Sequence, residues 1–244
     1  MIKLLITALL MLFTGCARDS FTILSGSENE SLKPLLEEFG RENGARIELK
    51  TMGSVDMMHL LQKDSLNGYD AIWPAASMWL SLGDSHNRVT QAKSIMTSPV
   101  VFGIKKSLAL KLNFVGQDVS VAQILAAVQR GDLTFTMTSA TQSNSGAMAY
   151  LGFLSAFAGN PPVLTQEHLQ DTVLHKNMTA LLSGINRSSG SSGWLKELFL
   201  KGNYDAMINY ESLIIETNRE LISRGEEPLY LVYPRDGLSL ADSP

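Results

Sequence analysis

The sequence predicts an α/β protein with two lobes, each built on a mainly parallel sheet flanked by helices. Between residues 21 and 80, a short apolar run is followed three times by a turn rich in Ser and Gly and then by a helical stripe. A longer extended run at residues 98–105 leads into more strands and helices. Strands that alternate with helices form parallel sheets. We therefore expect residues 16–98 to form one lobe and residues 99–233 a second.

The first repeat joins a strand at residues 21–24 to a helix at residues 32–39 through a hydroxyl-rich turn. The turn contains Ser25 and Ser27, with Glu28 beside them. The helix is predicted because four apolar residues recur at helical spacing and share one face: Leu32, Leu35, Leu36 and Phe39.

The second and third repeats begin with strands at residues 46–50 and 69–73. Ser54 follows the first of these strands and precedes a helix at residues 55–62, and Ser77 follows the second strand. In a parallel sheet the carboxyl ends of the strands lie at one edge, which is where ligands bind. The three turns are therefore expected to lie together.

The second lobe follows from the same patterns. Residues 183–193 are mostly Ser and Gly, and we predict a surface loop there, with a flap that closes over a ligand as the alternative. The other predicted elements are helices at residues 120–130, 168–182 and 213–224, and strands at residues 135–137, 204–211 and 229–234.

The turn at residues 138–145 is the most distinctive stretch of this lobe. It holds seven hydroxyl or amide side chains and no charge, and an apolar helix follows it. The backbone N–H groups at a helix start are unpaired and carry a partial positive charge. Ser143, Asn144 and Ser145 at this start therefore suit an anion. The alternative is that Ser143 or Asn144 only caps the helix.

Composition excludes several other functions. The chain carries 20 basic and 24 acidic residues, and its basic residues are scattered without interleaved aromatics, so we expect no nucleic-acid partner. No serine-nucleophile, phosphate-loop or dinucleotide motif is present, and the four histidines lack metal-ligand spacing. We predict no cofactor, no metal site and no enzyme activity. The remaining enzyme alternative pairs the carboxylates of Glu28 and Glu211.

The first fifteen residues are typical of a processed leader. Lys3 precedes an apolar run at residues 4–13, which is too short to span a bilayer. Residues 12–16, Leu-Phe-Thr-Gly-Cys, resemble a bacterial lipoprotein lipobox, although Phe13 replaces the usual aliphatic residue. The resemblance implies that Cys16, the sole cysteine, is lipidated and becomes the mature N-terminus. The alternative is an ordinary secretory leader followed by an unpaired cysteine.

Several short pieces of the sequence, taken in order, form a recognisable series. The pieces are Ser25-Gly26-Ser27, Gly53-Ser54, residues 69–73 with Ala76-Ser77, Asn144-Ser145-Gly146-Ala147 with Tyr150, residues 204–206 with Tyr210-Glu211, and Tyr233-Pro234. This series resembles the bacterial extracellular solute-binding proteins, and most closely the two-lobed type II class of periplasmic binding proteins that includes molybdate and sulfate binders.

The resemblance implies an envelope protein, on the periplasmic or extracellular face, that passes a ligand to the permease of an ABC-type transporter. Its lobes close over the ligand about two crossing segments, here residues 100–104 and 230–233. The implied ligand is a small oxyanion such as molybdate, tungstate, sulfate or phosphate, which neutral donors can hold. The residues implied at the ligand are Ser25, Ser27, Ser54, Ser77, Ser143, Asn144, Ser145, Tyr210 and Glu211.

Two departures from the family qualify this expectation. Glu28 would repel an anion if it pointed into the cleft, so either it faces solvent or the ligand is not an oxyanion. Family members also continue after the second crossing, whereas residues 234–244 here only return to the first lobe. We therefore expect a truncated chain with an incomplete first lobe.

Two other functions stay open at this point. The first is binding of an organic solute by aromatic stacking on Trp73, Trp79 or Tyr210, although both tryptophans are more typical of core or lobe packing. The second is a lipid-anchored adaptor that binds another envelope protein and no solute.

Overall fold

The computed structural model describes residues 20–244, so the predicted leader and Cys16 lie outside the described residues. The smaller of its two sheets contains three parallel strands in the order β2-β1-β3. These strands are β1 (Ser20–Gly26), β2 (Arg46–Met52) and β3 (Ala71–Trp73). The helices that follow them are a 3-10 helix (Ser27–Leu32), α1 (Lys33–Glu42), α2 (Ser54–Gln62) and α3 (Met78–Gly83).

The three strand–turn–helix repeats predicted from the sequence are confirmed. Ser25 of β1 lies opposite Thr51 of β2 and Trp73 of β3, so the three strands end side by side. The turns that carry Ser27, Ser54 and Ser77 therefore leave the same edge of the sheet.

The apolar stripe of α1 does not face a core. Leu35 is 62 % exposed and Phe39 is 58 % exposed. The helical spacing correctly predicted the helix, because this spacing depends on local sequence alone. Burial also depends on a neighbouring element, and within residues 20–244 nothing covers this face.

The larger sheet has six strands and is mixed. The order is β6-β5-β7-β4-β8, and a further strand, β9, also pairs with β4. The strands are β4 (Ser98–Lys105), β5 (Phe135–Thr138), β6 (Ile185–Ser189), β7 (Ala206–Tyr210), β8 (Leu229–Val232) and β9 (Ser239–Ala241). β5 is parallel to β6 and β7, whereas β4 is antiparallel to β7, β8 and β9.

Within residues 20–244, seven helices pack around this sheet or connect its strands. They are α4 (Lys106–Lys111), α5 (Val121–Gln129), α6 (Asn144–Phe157), α7 (Gln166–Gln170), α8 (Thr172–Leu182), α9 (Ser192–Lys201) and α10 (Glu211–Ser223). The main core lies between β4, β5 and helices α5, α6 and α8. Phe102 packs there edge-to-face against Phe135, with their ring centroids 5.4 Å apart. Such pairs add to the stabilisation from burial, so this contact holds the beginning of β5 against β4.

The prediction of a surface loop at residues 183–193 is wrong. Its first half forms β6 beside β5, and α9 begins within its second half. Ser191 and Ser192 are each 1 % exposed. The strand was missed because Asn, Arg and Ser are poor strand formers by propensity. Pairing with β5, rather than propensity, sets this strand.

The C-terminal residues connect the two sheets. β9 pairs with the beginning of β4, with Ser98 opposite Ala241. Beyond β9, the Ser243 backbone N–H donates to the Ala75 carbonyl oxygen at 2.9 Å, and the Ser77 hydroxyl donates to the Asp242 carboxylate at 2.6 Å. Residues 239–243 therefore contact both sheets, although the sequence predicted no element after Pro234.

Candidate functional site

Hydroxyl groups from three segments of the second lobe meet in a buried cluster. Ser145 Oγ lies 2.8 Å from Thr138 Oγ1 and 2.7 Å from Ser192 Oγ. Ser143 Oγ lies 3.3 Å from Ser192 Oγ. Each of these four residues is at most 2 % exposed. We call Thr138, Ser143, Ser145 and Ser192 the hydroxyl cluster.

The topology of the sheet positions this cluster. Thr138 ends β5, and Ser143 directly precedes α6. Ser192 begins α9, which follows the neighbouring parallel strand β6. A Cβ on Gly146 would lie 2.4 Å from the Thr138 carbonyl oxygen, so this glycine lets α6 begin against the end of β5.

The capping alternative for Ser143 is wrong. Ser143 occupies the N-cap position of α6, but within residues 20–244 its side chain makes no capping hydrogen bond. Its hydroxyl instead contacts Ser192 and Ser145. The hydroxyl is therefore part of the cluster rather than a helix cap.

Asn144 connects the cluster to both lobes. The indole N–H of Trp79, in the first lobe, donates to Asn144 Oδ1 at 2.6 Å, and Asn144 Nδ2 donates to the Tyr210 hydroxyl at 2.8 Å. An indole N–H can only donate, so the amide oxygen must face Trp79. Both aromatic side chains are buried and hydrogen-bonded, which makes them packing and positioning groups.

The two lobes touch at several turns. The Gly193 backbone N–H donates to Ser27 Oγ at 2.8 Å, and the Val55 N–H donates to the Gln142 carbonyl oxygen at 3.2 Å. Gly53 is so close to the other lobe that an added Cβ would lie 2.1 Å from the Gln142 carbonyl oxygen. The structure is therefore a closed arrangement in which the ends of the strands of both sheets meet.

The remaining first-lobe hydroxyls hold the turns together. Ser25 is fully buried and accepts a hydrogen bond from Asn29 Nδ2 at 3.0 Å. Ser54 accepts from the Ala75 backbone N–H at 3.0 Å and so joins the second turn to the third. Both hydroxyls therefore fix the edge that faces the second lobe.

Glu28 is the charged group closest in sequence to these turns. The residue as a whole is partly exposed, but within residues 20–244 its Oε1 atom is buried and has no hydrogen-bond partner. Burial raises the pKa of the Glu28 carboxyl to about 7, and a hydrogen bond from its own backbone N–H lowers it only in part. Burial and the charge of Glu28 raise the pKa of Tyr210 well above its usual range.

Two cavities border Glu28. One, of about 460 Å³, is lined by residues of both lobes that include Ser27, Glu28, Thr51, Gly193 and Trp194. The other, of about 120 Å³, includes Glu28, Asn29 and Tyr210. Glu28 therefore lies between the lobes, where a captured ligand would be enclosed.

Closure of two α/β lobes over buried hydroxyl turns is the arrangement expected of a binding protein. A family model described as "Bacterial extracellular solute-binding protein" matches residues 21–243. The chain belongs to this family. It is therefore an extracellular solute-binding protein rather than an enzyme, as the sequence predicted.

Solved structures with the same fold share little sequence with this solute-binding protein. The sulfate-binding protein SubI from Mycobacterium tuberculosis H37Rv is 16% identical, with a TM-score of 0.61 over 93% of this chain and 76% of that one. AfuA from Actinobacillus pleuropneumoniae, with fructose-6-phosphate bound, is 11% identical, with a TM-score of 0.58 over 93% and 75%.

Iron-bound HitA from Pseudomonas aeruginosa is 10% identical, with a TM-score of 0.58 over 92% of this chain and 75% of that one. No curated protein matches the chain. At these identities the likeness is one of fold, and it confirms the predicted two-lobed α/β class.

Most of the residues predicted at the ligand lie buried where the lobes meet. They are Ser25, Ser27, Ser54, Ser143, Asn144, Ser145 and Tyr210. Ser77 and Glu211 make their hydrogen bonds elsewhere: Ser77 with Asp242, and Glu211 as the acceptor for the Tyr233 hydroxyl. Neither side chain therefore belongs to the hydroxyl cluster, because Asp242 and Tyr233, from the C-terminal part of the chain, take up their hydrogen bonds.

Sequence reasoning missed Ser192, Gly193 and Thr138 as parts of the site. The signal was present, because residues 185–192 repeat the pattern of a strand, a hydroxyl-rich turn and a helix start. The prediction of a surface loop over this stretch left the pattern unrecognised.

Each helix within residues 20–244 is too short or too polar to cross a bilayer. The same residues contain no group of three His, Cys, Asp or Glu side chains placed to hold a metal ion.

Proposed function

We propose that this solute-binding protein captures a small tetrahedral oxyanion between its lobes and delivers it to the permease of an ABC-type transporter. The observation that carries the proposal is the hydroxyl cluster, whose members bond to one another deep between the lobes. A hydroxyl proton rotates freely, so these groups can exchange bonds to each other for stronger bonds to an anion.

Two further observations support an anionic ligand. The helices α6 and α9 both begin at the hydroxyl cluster, and helix starts favour negative charge. Two proteins of the same fold point the same way: SubI is a sulfate-binding protein, and the structure of AfuA contains bound fructose-6-phosphate. In this proposal the lobes are residues 16–98 and 99–233, and residues 234–244 return to the first lobe.

Replacing the hydroxyls tests this proposal. Ser145→Ala and Ser192→Ala are each expected to weaken anion binding by roughly tenfold to hundredfold, because a lost hydrogen bond to a charged group costs about 1.5–3 kcal/mol. Isothermal titration of the mature chain with phosphate, arsenate, sulfate, molybdate and tungstate provides the measurement.

The matched control for these variants is Ser155→Ala, which removes an exposed hydroxyl from the same helix, α6. It should bind the anion as tightly as the wild type. Heat from none of the five anions, with well-folded protein, would contradict the proposal and favour an adaptor.

An organic solute is the second candidate, and the position of Trp194 favours it. This side chain is 61 % exposed and borders the larger cavity between the lobes. An aromatic face at a cavity wall suits stacking against a sugar or a similar ring. This candidate predicts that sugars quench the tryptophan fluorescence of the wild type but not of Trp194→Leu. It also predicts that anions cause no fluorescence change and no binding heat.

We also propose that Cys16 carries a lipid that anchors the protein in the envelope, since this residue ends the lipobox-like residues 12–16 that close the leader. Cys16→Ser is expected to abolish incorporation of labelled fatty acid and to move the protein from the membrane fraction to the soluble fraction. The wild-type chain, fractionated in parallel, is the reference. Wild-type protein that takes up no label would contradict the anchor.

A further inference from the structure

We infer that the first lobe carries a second binding surface, a groove beside β3 that takes an extended peptide segment of another protein as an added strand. The groove has a volume of about 520 Å³, and its two walls are Ala71 and Ile72 of β3 and residues 88–93. We call it the β3 groove. Within residues 20–244 no member of the hydroxyl cluster borders it, so this surface is separate from the proposed oxyanion site.

The backbone of both walls is available for pairing. β3 lies at the edge of the smaller sheet, where it pairs with β1 and, among the described strands, with no other. The opposite wall, residues 88–93, belongs to no helix or strand. Within residues 20–244 the backbone groups of residues 90–93 form no hydrogen bond with another backbone group. Backbone groups of this kind are a template for a further strand.

The distance between the walls follows from the residues just beyond the groove. The Ser243 backbone N–H donates to the carbonyl oxygen of Ala75, which follows β3, at 2.9 Å. The Ser243 carbonyl oxygen accepts from the N–H of Ile95, which follows the other wall, at 3.1 Å. A single chain therefore bridges both walls here, and Pro244, the next residue, borders the groove. Walls that are one chain apart suit an inserted strand and are too close for a helix.

The floor of the β3 groove is apolar. Leu61 of α2 is 1 % exposed and Leu80 of α3 is 8 % exposed, and Leu66 and Ile72 border the groove with them. Successive side chains of a strand point to opposite faces, so a peptide in the groove places every second side chain on this floor. The partner segment is therefore one in which apolar residues alternate with polar residues.

Most charged groups around the groove are already engaged. Arg88 Nε donates to the Asp64 carboxylate at 2.7 Å, and the Asp70 carboxylate accepts from the Thr22 backbone N–H at 2.8 Å. The remaining charged residue of the lining, Lys93, is exposed. A small ion would compete with these contacts, whereas a strand bonds to the free backbone groups. The β3 groove therefore suits a peptide better than a second solute.

The test uses a soluble peptide in which Val alternates with Thr, with a Lys at each end. Isothermal titration should show that the mature wild-type chain binds it. Hydrogen exchange should then slow roughly tenfold or more at the amides of residues 71–73 and 90–93. The control peptide has the same side chains but carries N-methyl groups on alternate backbone amides. It should bind roughly tenfold more weakly, because it lacks the donors along one edge.

Two substitutions in the second wall form a matched pair. Backbone groups of a paired strand alternate between its two edges, and the Ile95 N–H faces Ser243. The N–H of Gln91 is therefore expected to face the groove, and that of Ala92 to face away. Both side chains are exposed. Because proline has no N–H, Gln91→Pro should weaken peptide binding roughly tenfold, whereas Ala92→Pro should bind like the wild type.

Several results would overturn this inference. They are a wild-type chain that does not bind the alternating peptide, equal binding of the N-methylated peptide, and undiminished binding by Gln91→Pro. Slowed exchange in β2 or β6 instead of the two walls would place the peptide at another sheet edge. A dimer in light scattering, with the walls already protected, would show that a second copy fills the groove. None of these results affects the oxyanion proposal, which depends on the anion titrations.

Discussion

Gly53→Ala is expected to stop the lobes from closing and to weaken ligand binding by roughly 100-fold or more, because binding affinity scales with the fraction of closed molecules. The added Cβ would lie 2.1 Å from the Gln142 carbonyl oxygen and 2.9 Å from that of Gly190, both in the other lobe. Backbone atoms cannot move aside as the end of a long side chain can.

The backbone of Gly53 itself tolerates alanine, since its φ is −69°. The Gly53→Ala substitution therefore disturbs the contact between the lobes rather than the fold of the first lobe. Small-angle scattering with and without ligand measures the effect, and the variant should stay expanded when ligand is added.

Gly190→Ala is the matched control for Gly53→Ala. It adds the same methyl group at the same junction, but the nearest atom, 3.5 Å away, is at the end of the Gln142 side chain. This variant should close and bind like the wild type. Undiminished binding by Gly53→Ala would mean that the ligand does not require the closed arrangement.

The second large expected effect is a dependence of the free energy of unfolding on pH, which arises from the Glu28 carboxyl. The folded-state pKa of about 7 lies above the ordinary value of 4.5, because burial disfavours the charged carboxylate. Between these two pH values the folded protein holds a proton that the unfolded chain has released. The free energy of unfolding therefore falls as pH rises through this range, by up to about 3 kcal/mol in total.

Glu28→Gln removes this titration. The free energy of unfolding of this variant, minus that of the wild type, should increase between about pH 4.5 and about pH 7 and then stay level. The total change should be up to about 3 kcal/mol. Urea unfolding at several pH values measures it. Glu37→Gln, at an exposed position, should show a constant difference from the wild type. A difference for Glu28→Gln that is equally constant would show that the carboxyl is not buried in solution.

The elements that could be predicted from sequence are those whose signal is local. The turns after β1, β2 and β5 stand out because apolar runs end abruptly in hydroxyl residues, and seven of the nine predicted ligand residues lie buried between the lobes. The parallel arrangement follows from the alternation of strands with helices. Chain-local patterns thus sufficed for the fold class and for most of the candidate site.

The features that could not be predicted depend on residues far apart in the chain. β6 exists because it pairs with β5, and Ser77 is occupied by Asp242, 165 residues further along the chain. The burial of the Glu28 carboxyl depends on residues from both lobes that close around it. Neither periodicity nor composition carries this information.

The pairing of β9 with β4 has a mechanical consequence for the motion of the lobes. Ser98, Pro99 and Val100 lie opposite Ala241, Leu240 and Ser239, so the chain leaving the larger sheet runs antiparallel to the chain entering it. Hydrogen bonds between two such segments resist sliding and twisting but permit bending across the pair. We therefore expect the lobes to rotate about one axis, so that each closure returns Gly53, Ser27 and Asn144 to the same partners.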